Sequence, residues 1–178
     1  MNLMHHRIAV FDFDGTLFGS PEKPSWWPWQ GLWGRLESLS PPYVPEKPGA
    51  DWWAAGVVHA ARQAIADPET LTVMMTGRPP KLEHRVRALL NGVGLHFDHY
   101  YFSRGDSTLP FKLARLEELI QLNYEVRVVE MWEDRSEHIG PFEATIGKFP
   151  DVEARVHHVP RVVHEFENAP ADTSYDRR

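Results

Sequence analysis

The passage Arg7-Ile8-Ala9-Val10-Phe11-Asp12-Phe13-Asp14-Gly15-Thr16-Leu17-Phe18 restricts the fold more than any other. A short apolar run of the kind that forms a buried strand stops at two aspartates one residue apart, and glycine and threonine follow at once. Strand side chains alternate, so Asp12 and Asp14 emerge on the same side, at the carboxyl end of the sheet. In open α/β sheets that edge is where ligands bind. Gly15 gives the chain the backbone freedom to turn away and leave both acids at a cleft.

Two like charges this close repel unless a cation or a shared proton intervenes. Magnesium answers the need, because it takes oxygen ligands and bridges carboxylate to phosphate. A plain strand followed by an Asp-Gly turn is the competing reading of the same residues. An EF-hand loop is a weaker reading still, since no acidic ligand or terminal glutamate follows at the required positions. The choice rests on whether partners recur at later strand ends.

They do recur. Leu71–Met75 reads as a second buried strand ending in Thr76-Gly77-Arg78, with Pro79 and Pro80 suited to the first turn of a helix carrying Leu82, Val86, Leu89 and Leu90 on one face. Gly92 and Gly94 close that helix, and Phe97–Phe102 is a third strand. Thr108 is placed to cap a helix beginning at Pro110, with Leu113, Leu116, Leu119 and Ile120 inward. Lys112 then falls in its first turn, where the helix dipole disfavours a cation unless something anionic is near. Val126–Trp132 is the fourth strand and runs into Glu133-Asp134-Arg135; a helix with Ile139, Phe142, Ile146 and Phe149 follows, broken at Gly140-Pro141, before a fifth strand at 152–159. This alternation predicts an α/β, Rossmann-like fold with a mostly parallel five-stranded sheet and helices on both faces.

Between the first strand and its helix lies a stretch from Gly19 to Ala50, rich in tryptophan and proline. Its prolines forbid a continuous helix, while Trp26, Trp27, Trp29 and Trp33 make it far more aromatic than a disordered linker. It is expected to pack as a cap-like lobe over the cleft, the tryptophans serving chiefly as its core. Asp51 is read as the N-cap of a helix to about Ala66, with Trp53, Val57, Ala61 and Ile65 on one face. The expected organisation is one domain over residues 1–160, including the 19–50 insertion, and a polar C-terminal tail over 161–178 that frays.

A net charge of -6 gives no overall pull toward nucleic acid, although a local basic patch can still hold a few phosphates. With no cysteine in the sequence, disulfides and thiolate metal sites are excluded. No long apolar run and no charged-then-apolar amino terminus is present, so a cytoplasmic protein without a membrane partner is expected. His5, His6, His157 and His158 suggest zinc, but adjacent residues on a strand do not share a face, and these are read as surface residues.

Four strand-end or helix-start positions therefore line up: Asp12/Asp14, Thr76, Lys112 and Asp134. In this ordered set the sequence resembles the haloacid dehalogenase (HAD) superfamily of phosphohydrolases. The resemblance implies that Asp12 is the nucleophile and forms an aspartyl-phosphate, and that Asp14 is the general acid and base. Mg2+ would be held by Asp12, the Asp14 main-chain carbonyl and Asp134. Thr76 and the Gly77 amide would bind a phosphoryl oxygen, Lys112 would balance charge, and Glu133 would orient Asp134 or a ligand water. Taken singly, Thr76 also reads as a helix cap and Lys112 as a solvated lysine.

Within the superfamily the chain is similar to the Swiss Army Knife RNA-repair-like branch, through the residues above together with Trp52-Trp53, Thr108 through Lys112, His138 and Phe142. Glu133-Asp134-Arg135 is also similar to the Asp-Asp-Arg of polynucleotide 3′-phosphatase domains, with Glu in place of the first acid. The likeness implies removal of phosphate from RNA or DNA ends, with Arg78 and Arg135 holding a second phosphate or the strand backbone, unless they pair with neighbouring acids such as Glu133. No P-loop and no nucleotidyl-transfer lysine motif is evident, so kinase or ligase steps would fall to other proteins. The alternatives are a phosphatase for mononucleotides or small metabolites with the lobe as lid, and a non-catalytic nucleic-acid-binding module.

Overall fold

Residues 5–105 and 107–164 are described by the computed structural model. Five strands form, β1 (Arg7–Phe11), β2 (Thr70–Thr76), β3 (His99–Phe102), β4 (Val128–Glu133) and β5 (Glu153–His158). They make one parallel sheet in the order β3-β2-β1-β4-β5. Four helices connect them: α1 (Ala55–Ala66), α2 (Glu83–Gly92), α3 (Thr108–Leu122) and α4 (Ser136–Ile146).

The alternation of β1 decides where the helices go. Ala9 and Phe11 point into a core shared with Val57 and Ala61 of α1 and Val86 and Leu89 of α2. Ile8 and Val10 point into a second core with Leu116 of α3 and Phe142 and Ile146 of α4. A strand buried on both faces must be apolar throughout, as this one is from Ile8 to Phe11. The order of connection reverses at β1, since the chain runs outward to β3 on one side before crossing to β4 on the other. The crevice beyond the carboxyl ends of β1 and β4 is thus the topological switch point of the sheet, where ligands bind in folds of this class. Phe11 and Trp132 lie opposite each other in register there, stacked at 4.2 Å.

Several elements depart from the sequence reading. Helix α1 starts at Ala55, not at Asp51, and Ala50–Trp52 is a single 3-10 turn. The chain here is claimed by the loop after β1: Gly19 N donates to Trp52 O at 2.7 Å and Ala54 N to Leu17 O at 3.0 Å, while Phe18 packs on the rings of both Trp52 and Trp53. Trp53 is buried as expected, but from a bridge to Phe18 and not from a helix face. Helix α4 runs through Gly140-Pro141 without a break. A proline removes one donor from the helix interior, and the buried His138 and Phe142 on either side keep the helix against the sheet.

The 19–50 segment has its own small core, in which Trp27, Leu32 and Tyr43 are buried with Trp26, Trp29 and Trp33 packed around them. Arg85 of α2 fastens it to the domain, donating from Nε to Leu39 O at 2.8 Å and from Nη2 to Pro45 O at 2.9 Å. Beyond β5, where the tail was expected to begin, the described chain continues along the domain to 164. Val162 N donates to Gly15 O at 2.8 Å, His164 N to Gly19 O at 3.1 Å, and the His164 ring stacks on Trp52 at 3.7 Å. Residues 160–164 are therefore strapped across the loop that bears the two aspartates; the remainder of the expected tail lies outside the described residues.

Candidate active site

Asp12 follows β1 directly, and its N–H still donates to Trp132 O at 3.2 Å, so it is carried at the end of the ladder. Gly15 makes the turn behind it with a φ of +79°; a Cβ there would also lie 2.6 Å from Asp134 Oδ2. The turn brings Thr16 back, with its hydroxyl 3.1 Å from Asp12 Oδ2 and 3.4 Å from Asp134 Oδ1.

Lys112 is the fifth residue of α3 and is buried. Its ammonium donates to Asp12 Oδ1 and to Glu133 Oε2, each at 2.7 Å. Thr108, expected to cap this helix, is instead its first residue, and Ser107 at the cap position makes no side-chain capping bond. The Thr108 side chain faces Gly77, where a Cβ would meet Thr108 Oγ1 at 2.6 Å. Gly77 is therefore fixed by close approach and not by an unusual backbone angle.

Asp12, Glu133 and Asp134 present carboxylate oxygens within 4.8 Å of one another. A single ammonium faces these three acids. Burial pushes the Asp12 carboxyl up to about 8, with the charges of Glu133 and Asp134 adding to the rise and Lys112 opposing it. Asp134 is also raised, first by burial and then by Glu133, with Arg161 and Arg135 opposing. Burial works against the charge of Glu133, but Lys112 outweighs it and holds that group below its ordinary value. Burial likewise disfavours the Lys112 charge, and Asp12 and Glu133 together outweigh it and raise that group. A surplus of buried, hard oxygen donors over cations is the donor set that suits a divalent cation such as Mg2+.

Asp14 does not join that trio through its side chain. Arg78, almost fully buried at 1% exposure, donates its Nε–H to Asp14 Oδ1 and Oδ2 at 2.9 Å each. Ser20 donates to the same carboxylate, and Thr76 Oγ1 lies 3.4 Å from it. The Arg78 Nη1 reaches the lobe, donating to Ser38 Oγ at 2.8 Å and to Trp33 O at 3.3 Å, with the guanidinium 5.1 Å from the Trp33 ring. Arg78 is thus paired with Asp14, and not with Glu133, the acid the sequence reading named for it.

Asp12, Asp14, Gly77, Arg78, Lys112 and Asp134 line one cavity of about 240 Å³ with Trp33 of the lobe on its wall, while Thr76 is fully buried behind Asp14 and is not among the lining residues. Arg135 is exposed at the mouth, and its side chain makes no ion pair among the described residues. Glu133 is the hub behind the site, holding Lys112, receiving the Arg135 N–H at 3.3 Å and standing 3.4 Å from His138 Nδ1. His157 and His158 join no metal-ligating group among the described residues. His157 packs on Trp132, and His158 Nε2 lies 3.0 Å from the Asp134 carbonyl. Arg161 also lines the cavity, and the sequence reading missed it. The apolar residues Val159, Val162 and Val163 around it were the available sign that the chain there still runs against the domain.

The family described as HAD domain family 1 in Swiss Army Knife RNA repair proteins matches residues 29–171. The chain belongs to this family. The match begins beyond the Asp12–Thr16 loop, so the loop's place in this HAD domain rests on the geometry above. Solved structures share the HAD fold. A chain of the Pnkp1/Rnl/Hen1 complex matches with a TM-score of 0.56 and 17% identity, over 87% of this chain but only 46% of its own length. The HAD domain of the effector protein Lem4 from Legionella pneumophila matches with a TM-score of 0.58 and 12% identity, over 87% of this chain and 86% of its own. An inactive mutant of the Lem4 domain gives 0.57 and 12%, over 88% and 87%. Among the described residues no helix is long and apolar enough to cross a membrane.

Proposed function

We propose that this HAD domain is a phosphomonoesterase that works through an aspartyl-phosphate and removes 3′-phosphates from nucleic-acid ends, RNA in particular. The observation that carries the reading is the convergence of Asp12, Lys112, Asp134, Asp14 and Gly77 on one cavity at the switch point of the sheet. Membership of an RNA-repair HAD family supports the choice of substrate.

Asp12 is the nucleophile: one oxygen is held by Lys112 and the other lies beside Thr16, so the carboxylate is oriented without a large motion. It attacks phosphorus, forming a P–O bond to Asp12 as the bond to the leaving oxygen breaks. Asp14 delivers a proton to that oxygen, then takes one from the water that attacks phosphorus and releases inorganic phosphate from Asp12. Arg78, Ser20 and Thr76 hold Asp14 at the cavity between these transfers. The Gly77 amide binds a phosphoryl oxygen, with the Thr76 hydroxyl turning from Asp14 to join it, and Lys112 offsets charge between nucleophile and phosphate. Asp12, Asp134 and the Asp14 main-chain carbonyl would hold Mg2+, which supplies the charge masking that lets a carboxylate approach a phosphate dianion. Separate kinase or ligase proteins would carry out the other steps of end repair.

The test is Mg2+-dependent phosphate release from a 3′-phosphorylated RNA oligomer, its DNA counterpart, a 5′-phosphorylated oligomer and free mononucleotides, with Asp12→Asn as the blank. Preference for the 3′-phosphorylated RNA, lost in the variant, is expected. Faster release from mononucleotides would replace the repair reading with that of a nucleotidase. No variant-sensitive release from any substrate would leave a non-catalytic nucleic-acid-binding module.

A further inference from the structure

Four cationic side chains line the cavity, and two of them are already committed. Lys112 is shared between Asp12 and Glu133, and Arg78 is bound to Asp14, Ser38 and Trp33. Arg135 and Arg161 remain, both at the mouth. Both are fixed at the backbone, Arg135 as the N-cap of α4 and Arg161 in the strap, and the Arg161 stem lies directly against the loop that bears the aspartates. Val162, the next residue, donates to Gly15 O at 2.8 Å, and His164 is held by Gly19 O and by the Trp52 ring. The Arg161 stem lies against the aspartate loop, its Cγ only 3.0 Å from the position a Cβ would take on Gly15.

The head of the side chain is held far less firmly than its stem. Arg161 Nε is 3.6 Å from Asp134 Oδ2 and Nη1 is 3.8 Å from Glu22 Oε1, both beyond hydrogen-bond reach. Among the described residues the guanidinium makes no hydrogen bond, although it carries a rigid fork of five donors suited to phosphate. An immobilised stem whose head is held only by two long ion pairs, to Asp134 and Glu22, beside a phosphate site is an anchor for a further anion on the same substrate.

Resting on the 3′-phosphatase reading above, we propose that Arg161 binds the phosphodiester next to the terminal phosphate of a single-stranded nucleic acid. The substrate is then a strand end and not a mononucleotide, and the strap 160–164 is a specificity element. The role that the sequence assigned to Arg78 passes to Arg161, since Arg78 is buried against Asp14.

The test is equilibrium binding in an Asp12→Asn background, using fluorescence anisotropy with a 5′-labelled, 3′-phosphorylated oligoribonucleotide over a range of salt concentrations. Each single-strand phosphate neutralised contributes a slope of about -0.7 in log K against log salt. Arg161→Ala is expected to weaken binding roughly tenfold and to make the slope shallower by about 0.7, whereas Arg161→Lys retains the slope. Competition with a nucleoside 3′-monophosphate completes the comparison, and Arg161→Ala is expected to lose more affinity for the oligomer than for the monophosphate. An unchanged slope, or equal loss on both ligands, overturns the proposal by placing Arg161 on Asp134 or on the terminal phosphate. The phosphatase reading fails separately: if the unsubstituted chain releases no phosphate while the slope difference persists, the reaction is wrong and the Arg161 contact stands.

Discussion

Arg78 and Asp14 form a two-oxygen ion pair across the cavity wall, the Arg78 Nε lying 2.9 Å from each carboxylate oxygen. The same guanidinium binds Ser38 and the Trp33 carbonyl, so one side chain joins the tryptophan-rich lobe to a residue assigned to proton transfer. The lobe and the site are therefore not independent parts.

Arg78→Lys should separate the two functions of this arginine. A lysine keeps one charge near Asp14 but cannot make the planar two-oxygen contact and reach Ser38 at the same time. The expected result is a loss of about 2 kcal/mol in denaturant unfolding, from hydrogen bonds to a charged group that are no longer made, and a fall in kcat. Ser38→Ala should produce a smaller loss, about 1 kcal/mol, because the Arg78–Asp14 pair stays and only the bonds of the Ser38 hydroxyl, from Arg78 and to Arg35 O, go. Equal activity in Arg78→Lys and the unsubstituted chain would remove Asp14 orientation from the account.

Lys112→Met isolates the charge at the centre. The methionine fills similar volume, but Asp12 and Glu133 then face each other without the ammonium that lies 2.7 Å from both. Removing one preorganised charge of this kind costs about 10²–10³ in kcat. Single-turnover measurement should show the loss in formation of the aspartyl-phosphate. Glu133→Gln should cost less, since Lys112 keeps its bond to Asp12.

The fate of these residues shows what a linear sequence carries. That Asp12, Lys112 and Asp134 would meet was legible because each lies at a strand end or in the first turns of a helix, and a parallel sheet gathers such positions on one edge whatever the details. The choice of Asp14 as the partner of Arg78 was not legible, because the two are 64 positions apart and the choice depends on side-chain direction. Trp53 has the spacing of a helix face, and local periodicity cannot register the competing backbone bonds between Leu17–Gly19 and Trp52–Ala54. Arg161 was lost for the same reason, since its strap is held by single long-range bonds to Gly15 and Gly19 that leave no repeating pattern.

Gly77 and Thr108 should behave as a coupled pair. A Cβ at position 77 would meet Thr108 Oγ1 at 2.6 Å and Cγ2 at 3.0 Å, but Thr108 Cβ only at 3.3 Å. Gly77→Ala alone is expected to cost about 1–3 kcal/mol through overpacking and to displace the amide proposed to bind phosphate. Adding Thr108→Ala removes the two closest atoms, and the double variant should recover about 1 kcal/mol relative to additivity. A double-mutant cycle in urea checks this; strict additivity would mean that the backbone at Gly77, and not the space beside it, sets the requirement.

The stability of the metal-free protein should fall as pH rises, and Mg2+ should oppose the fall. Asp12 has a folded pKa raised above its unfolded value, so its contribution to stability is present at low pH and is lost as pH climbs through about 8. Glu133 is shifted the other way; its contribution is present above the ordinary glutamate range and is lost only as pH falls through its lowered folded value, outside that window. Between about pH 6 and pH 8 the raised carboxyls, Asp12 with Asp134 acting in the same direction, should therefore govern, and thermal melts without metal should move downward. Mg2+ needs the Asp12 carboxylate ionised, so binding expels the proton and the stabilisation it gives should widen over the same interval. In Asp12→Asn the group does not titrate, and both the downward drift and the widening Mg2+ increment should shrink together. A Mg2+ increment that stays constant across this interval in the unsubstituted chain would show that Asp12 is not a ligand of the ion.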